Sequence, residues 1–141
     1  MKYVIDAGIA IKYYVPEIYE DQSVALLEGG HELHIPELLY VEVSSIVWKK
    51  VRRGQVARVK GANIIFRILN ENWIAHSHKG TLETVYAGAE TTGQTVYDFT
   101  YLALAISLDC EFVTADEKFY KALENTSFKS NLKWIGDFKD V

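Results

Sequence analysis

The sequence predicts an α/β protein with a parallel sheet covered by helices on both faces. Two observations carry that expectation. Short apolar runs of strand length alternate with longer segments of helical spacing along all 141 residues, without repeats, low-complexity tracts or linkers. The composition, 49% hydrophobic and 24% charged, is that of a globular chain and argues against disorder or a coiled coil. At this length one domain suffices, and it can bury about two-thirds of the surface exposed by the unfolded chain.

The run from Lys2 to Asp6 reads as a buried first strand ending in an acid. Helices are expected from about Ile9 to Tyr14 and from about Glu20 to Leu27, with Gly29 and Gly30 stopping the second. Leu33 to Ile35 is a short strand. Pro36 suits an early helical position, and its helix is expected to run to about Arg53, where Gly54 breaks it. Val56, Val59, Ile64, Ile65, Ile68 and Leu69 are spaced for a helix from Gln55 to about Asn70, despite Gly61. Trp73 to Ala75 is a third strand, and a helix from about Leu82 to Thr92 closes at Gly93. Thr95 starts the next helix. Glu111 to Thr114 reads as a strand, Glu117 to Leu123 as a helix and Leu132 to Ile135 as a last strand. Both prolines, Pro16 and Pro36, fall at expected element edges.

Four carboxylates stand out against this frame. Asp6 ends the first strand, Glu42 lies within an apolar helix, Asp98 opens a helix and Asp116 follows the fourth strand. Ligands of open α/β sheets bind outside the carboxyl ends of strands, and a fold that gathers these segments there makes an acidic pocket suited to Mg²⁺ or Mn²⁺. Each acid also has an ordinary structural reading. Asp6 and Asp116 can cap the helices that follow them, and the segment Thr95 to Asp98 matches a capping box. Glu42 is harder to dismiss, because Leu38, Leu39, Val43 and Ile46 surround it one turn either way.

The net charge of −4 argues against a nucleic-acid partner until its distribution is considered. Between Val43 and Asn70 there is no Asp or Glu, while Lys49, Lys50, Arg52, Arg53, Arg58, Lys60 and Arg67 supply seven of the fifteen basic side chains. Such a patch is either an electrostatic footprint for phosphates or a solvated helix face. Cys110 is alone and reads as a buried thiol. With no signal-like start and no apolar run near the roughly 18 residues of a membrane span, the chain is expected to be cytoplasmic, with no membrane partner.

The succession Val4-Ile5-Asp6-Ala7, then Pro36 to Glu42, then Val96-Tyr97-Asp98-Phe99-Thr100-Tyr101-Leu102-Ala103-Leu104-Ala105, then Phe112-Val113-Thr114-Ala115-Asp116, resembles a PIN domain of the VapC toxin type over nearly the whole chain. The resemblance implies a three-layer α/β/α sandwich with a central parallel sheet and a metal-dependent endoribonuclease using Mg²⁺ or Mn²⁺. It further implies a homodimer and a cognate VapB-like antitoxin as inhibitor. By position it assigns catalysis and metal binding to Asp6, Glu42, Asp98 and Asp116, with Thr114 as the hydroxyl supporting the last acid. Lys49, Lys50, Arg52, Arg53, Arg58 and Lys60 would then hold RNA phosphates. RNA is favoured over DNA by the likeness only. One departure is Gly8, where many relatives carry Ser or Thr; its backbone amide is a possible substitute for the missing hydroxyl.

Three other readings compete. A receiver-like signalling domain would want an Asp after the third strand and a Lys late in the sheet, and the segments at Trp73 and Leu132 offer neither. A catalytically silent module could keep the fold for dimerisation or antitoxin binding. His76 and His78 could ligate a transition metal, although two ligands in a loop are a weak signal.

Overall fold

The structure, a computed structural model, describes residues 1–15 and 20–138. Among these, five strands form one sheet in the order β3-β2-β1-β4-β5: β1 (Lys2–Ile5), β2 (Glu32–Pro36), β3 (Ile74–His76), β4 (Glu111–Thr114) and β5 (Leu132–Trp134). Every pairing is parallel, with Val4 opposite His34 on one side and Phe112 on the other. The central strands are apolar because both faces are covered; Val4, Ile5, Ile35 and Val113 are fully buried.

Seven helices are described: α1 (Ala7–Lys12), α2 (Glu20–Glu28), α3 (Leu38–Arg52), α4 (Arg58–Leu69), α5 (Leu82–Thr92), α6 (Val96–Ser107) and α7 (Glu117–Leu123). They flank the sheet as layers, which is the expected α/β/α arrangement. α6 lies across β1, β2 and β4 and packs on α5, so it is apolar nearly all round, and Phe99 through Ala105 are all buried. α3 buries the stripe Leu39, Val43 and Val47, and α4 answers with Gly61, Ile64 and Ile68. Gly61 is needed inside its helix, because a Cβ there would stand 2.7 Å from Val51 Cγ2. Gly88 has the same role on α5: an added Cβ would meet the Phe99 ring at 2.1 Å.

Several expected boundaries move. Pro36 ends β2 rather than opening a helix. β1 pairs with β2 only as far as His34, so the missing N–H of Pro36 costs no ladder bond there, while Glu37 N–H donates to His76 O at 2.9 Å. α1 starts at Ala7, earlier than expected, because Asp6 caps it. α4 starts at Arg58 rather than Gln55, since Gly54 has a positive φ of 75° and its turn continues through Gln55, whose N–H donates to Lys50 O. β5 ends at Trp134, and Ile135 enters a short 3₁₀ turn. Pro16 lies outside the described residues. Among the described residues no helix is long and apolar enough to cross a membrane.

Candidate active site

The order of the strands fixes where a site can form. The chain steps outward from β1 through β2 to β3, then crosses back to lay β4 on the other side of β1. The connections after β1 and β4 therefore leave in opposite directions and open a crevice at the carboxyl edge. Asp6 leaves β1 and Asp116 leaves β4 at that crevice. A cavity of about 270 Å³ opens there, and Asp6, Glu42, Asp98, Asp116 and Thr114 all line it. The structure thus brings together the four acids and the hydroxyl singled out in the sequence.

Asp6 is the N-cap of α1, its Oδ1 accepting from Ile9 N–H at 2.8 Å and its Oδ2 from the Thr114 hydroxyl at 3.0 Å. The amide that serves it is therefore that of Ile9, not Gly8. Burial pushes its carboxyl up to about 6, against the hydrogen bonds from Ile9 and Thr114 and the charge of Lys12, which pull it down. Thr114 is fully buried, and its oxygen also accepts the Asp116 N–H at 3.0 Å. One hydroxyl therefore ties the first acid to the last, a wider role than support of Asp116 alone.

Asp116 caps α7 through Phe119 N–H, at 3.1 Å from Oδ1. Thr95 caps α6, accepting Asp98 N–H at 3.0 Å, so the first half of the expected capping box is present. Burial raises the Asp98 carboxyl, the Thr95 hydroxyl lowers it and Asp116 raises it further. Glu42 rises as well, first through burial, while its bond from Tyr101 opposes the shift and Asp98 adds to it. Like charges lining one cavity repel, which adds to the effect of burial on Glu42 and Asp98.

Two lining residues escaped the sequence reading. Lys12 is buried at the last position of α1, where the sequence reads as an ordinary surface cation matching a helix dipole. Tyr101 sends its hydroxyl to Glu42 Oε1 at 2.5 Å. Its place in α6, three residues after Asp98 and so on the same helix face, was the available signal.

Among the described residues, no three His, Cys, Asp or Glu side chains stand close enough to hold a metal ion as they lie. Asp6 and Asp116 each cap their own helix, and Glu42 accepts from Tyr101. The donor set is all oxygen and fits Mg²⁺ or Mn²⁺ held partly through water; Mg²⁺ keeps several waters and takes only one or two carboxylates. His76 is engaged elsewhere, its Nε2 lying 2.7 Å from Nδ1 of the buried His34, whose Nε2 lies 2.6 Å from Glu32 Oε1.

The basic segment lies outside the acidic cavity. Lys49, Lys50 and Arg52 occupy the last turns of α3, Arg53 the turn after it, and Arg58 and Lys60 the start of α4. Lys49 follows Glu42 by seven residues on α3, on the same face and roughly 10 Å along the axis. Apart from half-buried Lys50 these side chains are exposed, in company with exposed Trp48, Val59, Phe66 and Leu69. Arg67 instead stacks over the Tyr14 ring at 5.0 Å.

Comparison with known proteins gives a consistent picture. The family model described as PIN domain matches residues 3–124. Ribonuclease VapC3 of Pyrobaculum aerophilum is 33% identical over 124 residues, which cover 84% of this chain and 92% of that protein. Among solved structures, the crystal structure of PAE2754 from Pyrobaculum aerophilum superposes with a TM-score of 0.71 at 21% identity, covering 96% of this chain and 85% of that one. VapBC2 from Rickettsia felis, bound to a DNA fragment from their promoter, gives a TM-score of 0.61 at 15% identity, with 95% and 98% covered. A toxin-antitoxin complex from Klebsiella pneumoniae gives 0.58 at 16% identity, with 86% and 92% covered. At these identities the structural likenesses speak for the fold.

Proposed function

This chain belongs to the PIN-domain family, and on that premise we propose that it is an endoribonuclease of the VapC type, hydrolysing RNA phosphodiester bonds with Mg²⁺ or Mn²⁺. The observation that carries the reading is the meeting of Asp6, Glu42, Asp98 and Asp116 on one cavity at the crossing point of the sheet. Three of these acids are capping or hydrogen-bonded groups that any α/β protein could use singly. Four on one cavity, three of them with carboxyls raised by burial, are costly to a fold that gains nothing from them.

Asp6 and Asp98 would hold the cation directly, and Glu42 and Asp116 directly or through water. The bound cation supplies positive charge that offsets the negative charge developing on the phosphodiester. The chain's own residues do the rest. Thr114 fixes the direction of Asp6 and the start of α7 together. Lys12 offsets part of the negative charge that the acids impose on an incoming phosphate. Glu42, raised toward the working pH and bonded at Oε1, has Oε2 as an acceptor for a proton from the attacking water. Lys49, Arg52, Arg53 and Arg58 would bind flanking phosphates without reading sequence.

The likeness to ribonuclease VapC3 and to toxin-antitoxin assemblies supports a toxin role with a VapB-like antitoxin as inhibitor; a homodimer as the working unit is part of the same proposal. The test is an RNA cleavage assay with purified protein. New internal ends are expected in Mg²⁺ or Mn²⁺, none in EDTA, and a loss of orders of magnitude in Asp98→Asn. Cleavage that survives exhaustive chelation would remove the metal-dependent reading, and a wild type inert in both metals would leave a silent binding module.

A further inference from the structure

We propose that Tyr101 is a positioning residue for Glu42, holding one carboxylate oxygen so that the other is directed to the metal-dependent reaction; the inference rests on the functional reading above. The Tyr101 hydroxyl donates to Glu42 Oε1 at 2.5 Å, across 59 residues of sequence. This hydroxyl therefore ties two elements of the cavity together, α3 and α6.

The phenol ring is well fixed for that task. It is buried in α6, and it stacks on Phe112 of β4 with centroids 5.5 Å apart and planes 15° from parallel. Glu42 has the longest side chain of the four acids and, unlike Asp6 and Asp116, caps no helix. Asp6 and Asp116 are aimed by the turns they cap, whereas Glu42 projects from the second turn of α3 with three rotatable bonds. Tyr101 supplies for Glu42 the restraint that Asp6 and Asp116 receive from the backbone amides they cap. The phenol has a single proton to donate, and it goes to Glu42.

A plainer alternative is that Glu42 merely satisfies a buried tyrosine hydroxyl. The two ideas part in a double-mutant cycle of Tyr101→Phe and Glu42→Gln. Phe keeps the ring on Phe112, and Gln keeps the length of Glu42. Mn²⁺ affinity is read by calorimetry without RNA, and kcat and KM with RNA. Positioning predicts that Tyr101→Phe lowers kcat or Mn²⁺ affinity by about 10- to 100-fold while the KM for RNA stays within about twofold. In the Glu42→Gln background the same change should cost less than about twofold, because its target is already gone.

Tyr101→Phe equal to the wild type in both readouts, or costs that multiply in full in the double variant, would overturn the proposal. A lower melting temperature with unchanged Mn²⁺ affinity and kcat assigns Tyr101 to stability alone and also overturns it. If the wild type cuts no RNA yet binds Mn²⁺, the functional reading fails while coupling in the calorimetric cycle still supports Tyr101. A wild type that binds no Mn²⁺ sinks both.

Discussion

The Thr114 hydroxyl lies 3.0 Å from Asp6 Oδ2, joining residues 108 positions apart, and its oxygen takes the Asp116 N–H at the same distance. Thr114→Val keeps the shape of the side chain and removes both bonds. With the site fully buried, stability is expected to fall by about 1–3 kcal/mol, because the Asp116 amide and one Asp6 oxygen lose their partner. Cleavage should fall with it. Thr114→Ser, which keeps the hydroxyl, should recover most of the activity. Urea denaturation and RNA cleavage of the two variants check this, and equal activity in Val and Ser would refute it.

Asp6 makes the metal-free protein pH-sensitive. Its folded carboxyl is pushed up to about 6 from an ordinary value of 3.8, so the folded state binds the extra proton. The stability it contributes is present in full below about pH 3.8 and is lost as pH rises through 6, a swing of about 3 kcal/mol at 1.36 kcal/mol per unit. Asp6→Asn removes this titration. In EDTA, the stability of the wild type relative to the variant should therefore fall between pH 4 and pH 8. Added Mg²⁺ or Mn²⁺ at pH 8 should reverse the trend by stabilising the wild type alone. A pH-independent difference would contradict the assignment.

Gly8 can accept a hydroxyl. A Cβ there would lie 3.4 Å from Asp6 Oδ1, an ordinary contact, and the residue lines the cavity from the first turn of α1. Gly8→Ser is expected to fold normally, gain about 0.5 kcal/mol from helix propensity and cleave RNA at least as fast as the wild type. Thermal melts and initial rates decide, and a destabilised or slower variant would show that the space is not free.

Replacing Arg52, Arg53 and Arg58 together with Ala tests the basic segment. RNA binding should weaken and its salt dependence flatten, because fewer counterions are released, while the melting temperature barely changes. Exposed Trp48, Val59 and Phe66 lie on the same two helices, which makes a protein interface the competing reading of this surface. Normal RNA binding with loss of dimer or antitoxin contact would move the patch from RNA to protein recognition. Electrophoretic shifts at two salt concentrations beside size-exclusion chromatography separate the outcomes.

Much of this protein is legible in local sequence, because local physics decides it. Apolar runs place the strands, a 3.6-residue period places the helices, and the caps at Thr95 and Asp116 and the left-handed Gly93 sit where their residue types demand. The four acids could be picked out because three of them stand at strand exits or helix starts. Tertiary structure decided the remainder. Pro36 goes to a strand because β1 stops pairing before it reaches that residue, which no neighbour in sequence reveals. Lys12 turns inward to the acids, and Tyr101 reaches Glu42, because the sheet order sets β4 beside β1 and lays α6 across both. Propensity and capping act over a few residues and leave a mark within a short window. The bonds from Thr114 to Asp6 and from Tyr101 to Glu42 span 108 and 59 positions, and their existence depends on how the chain crosses the sheet.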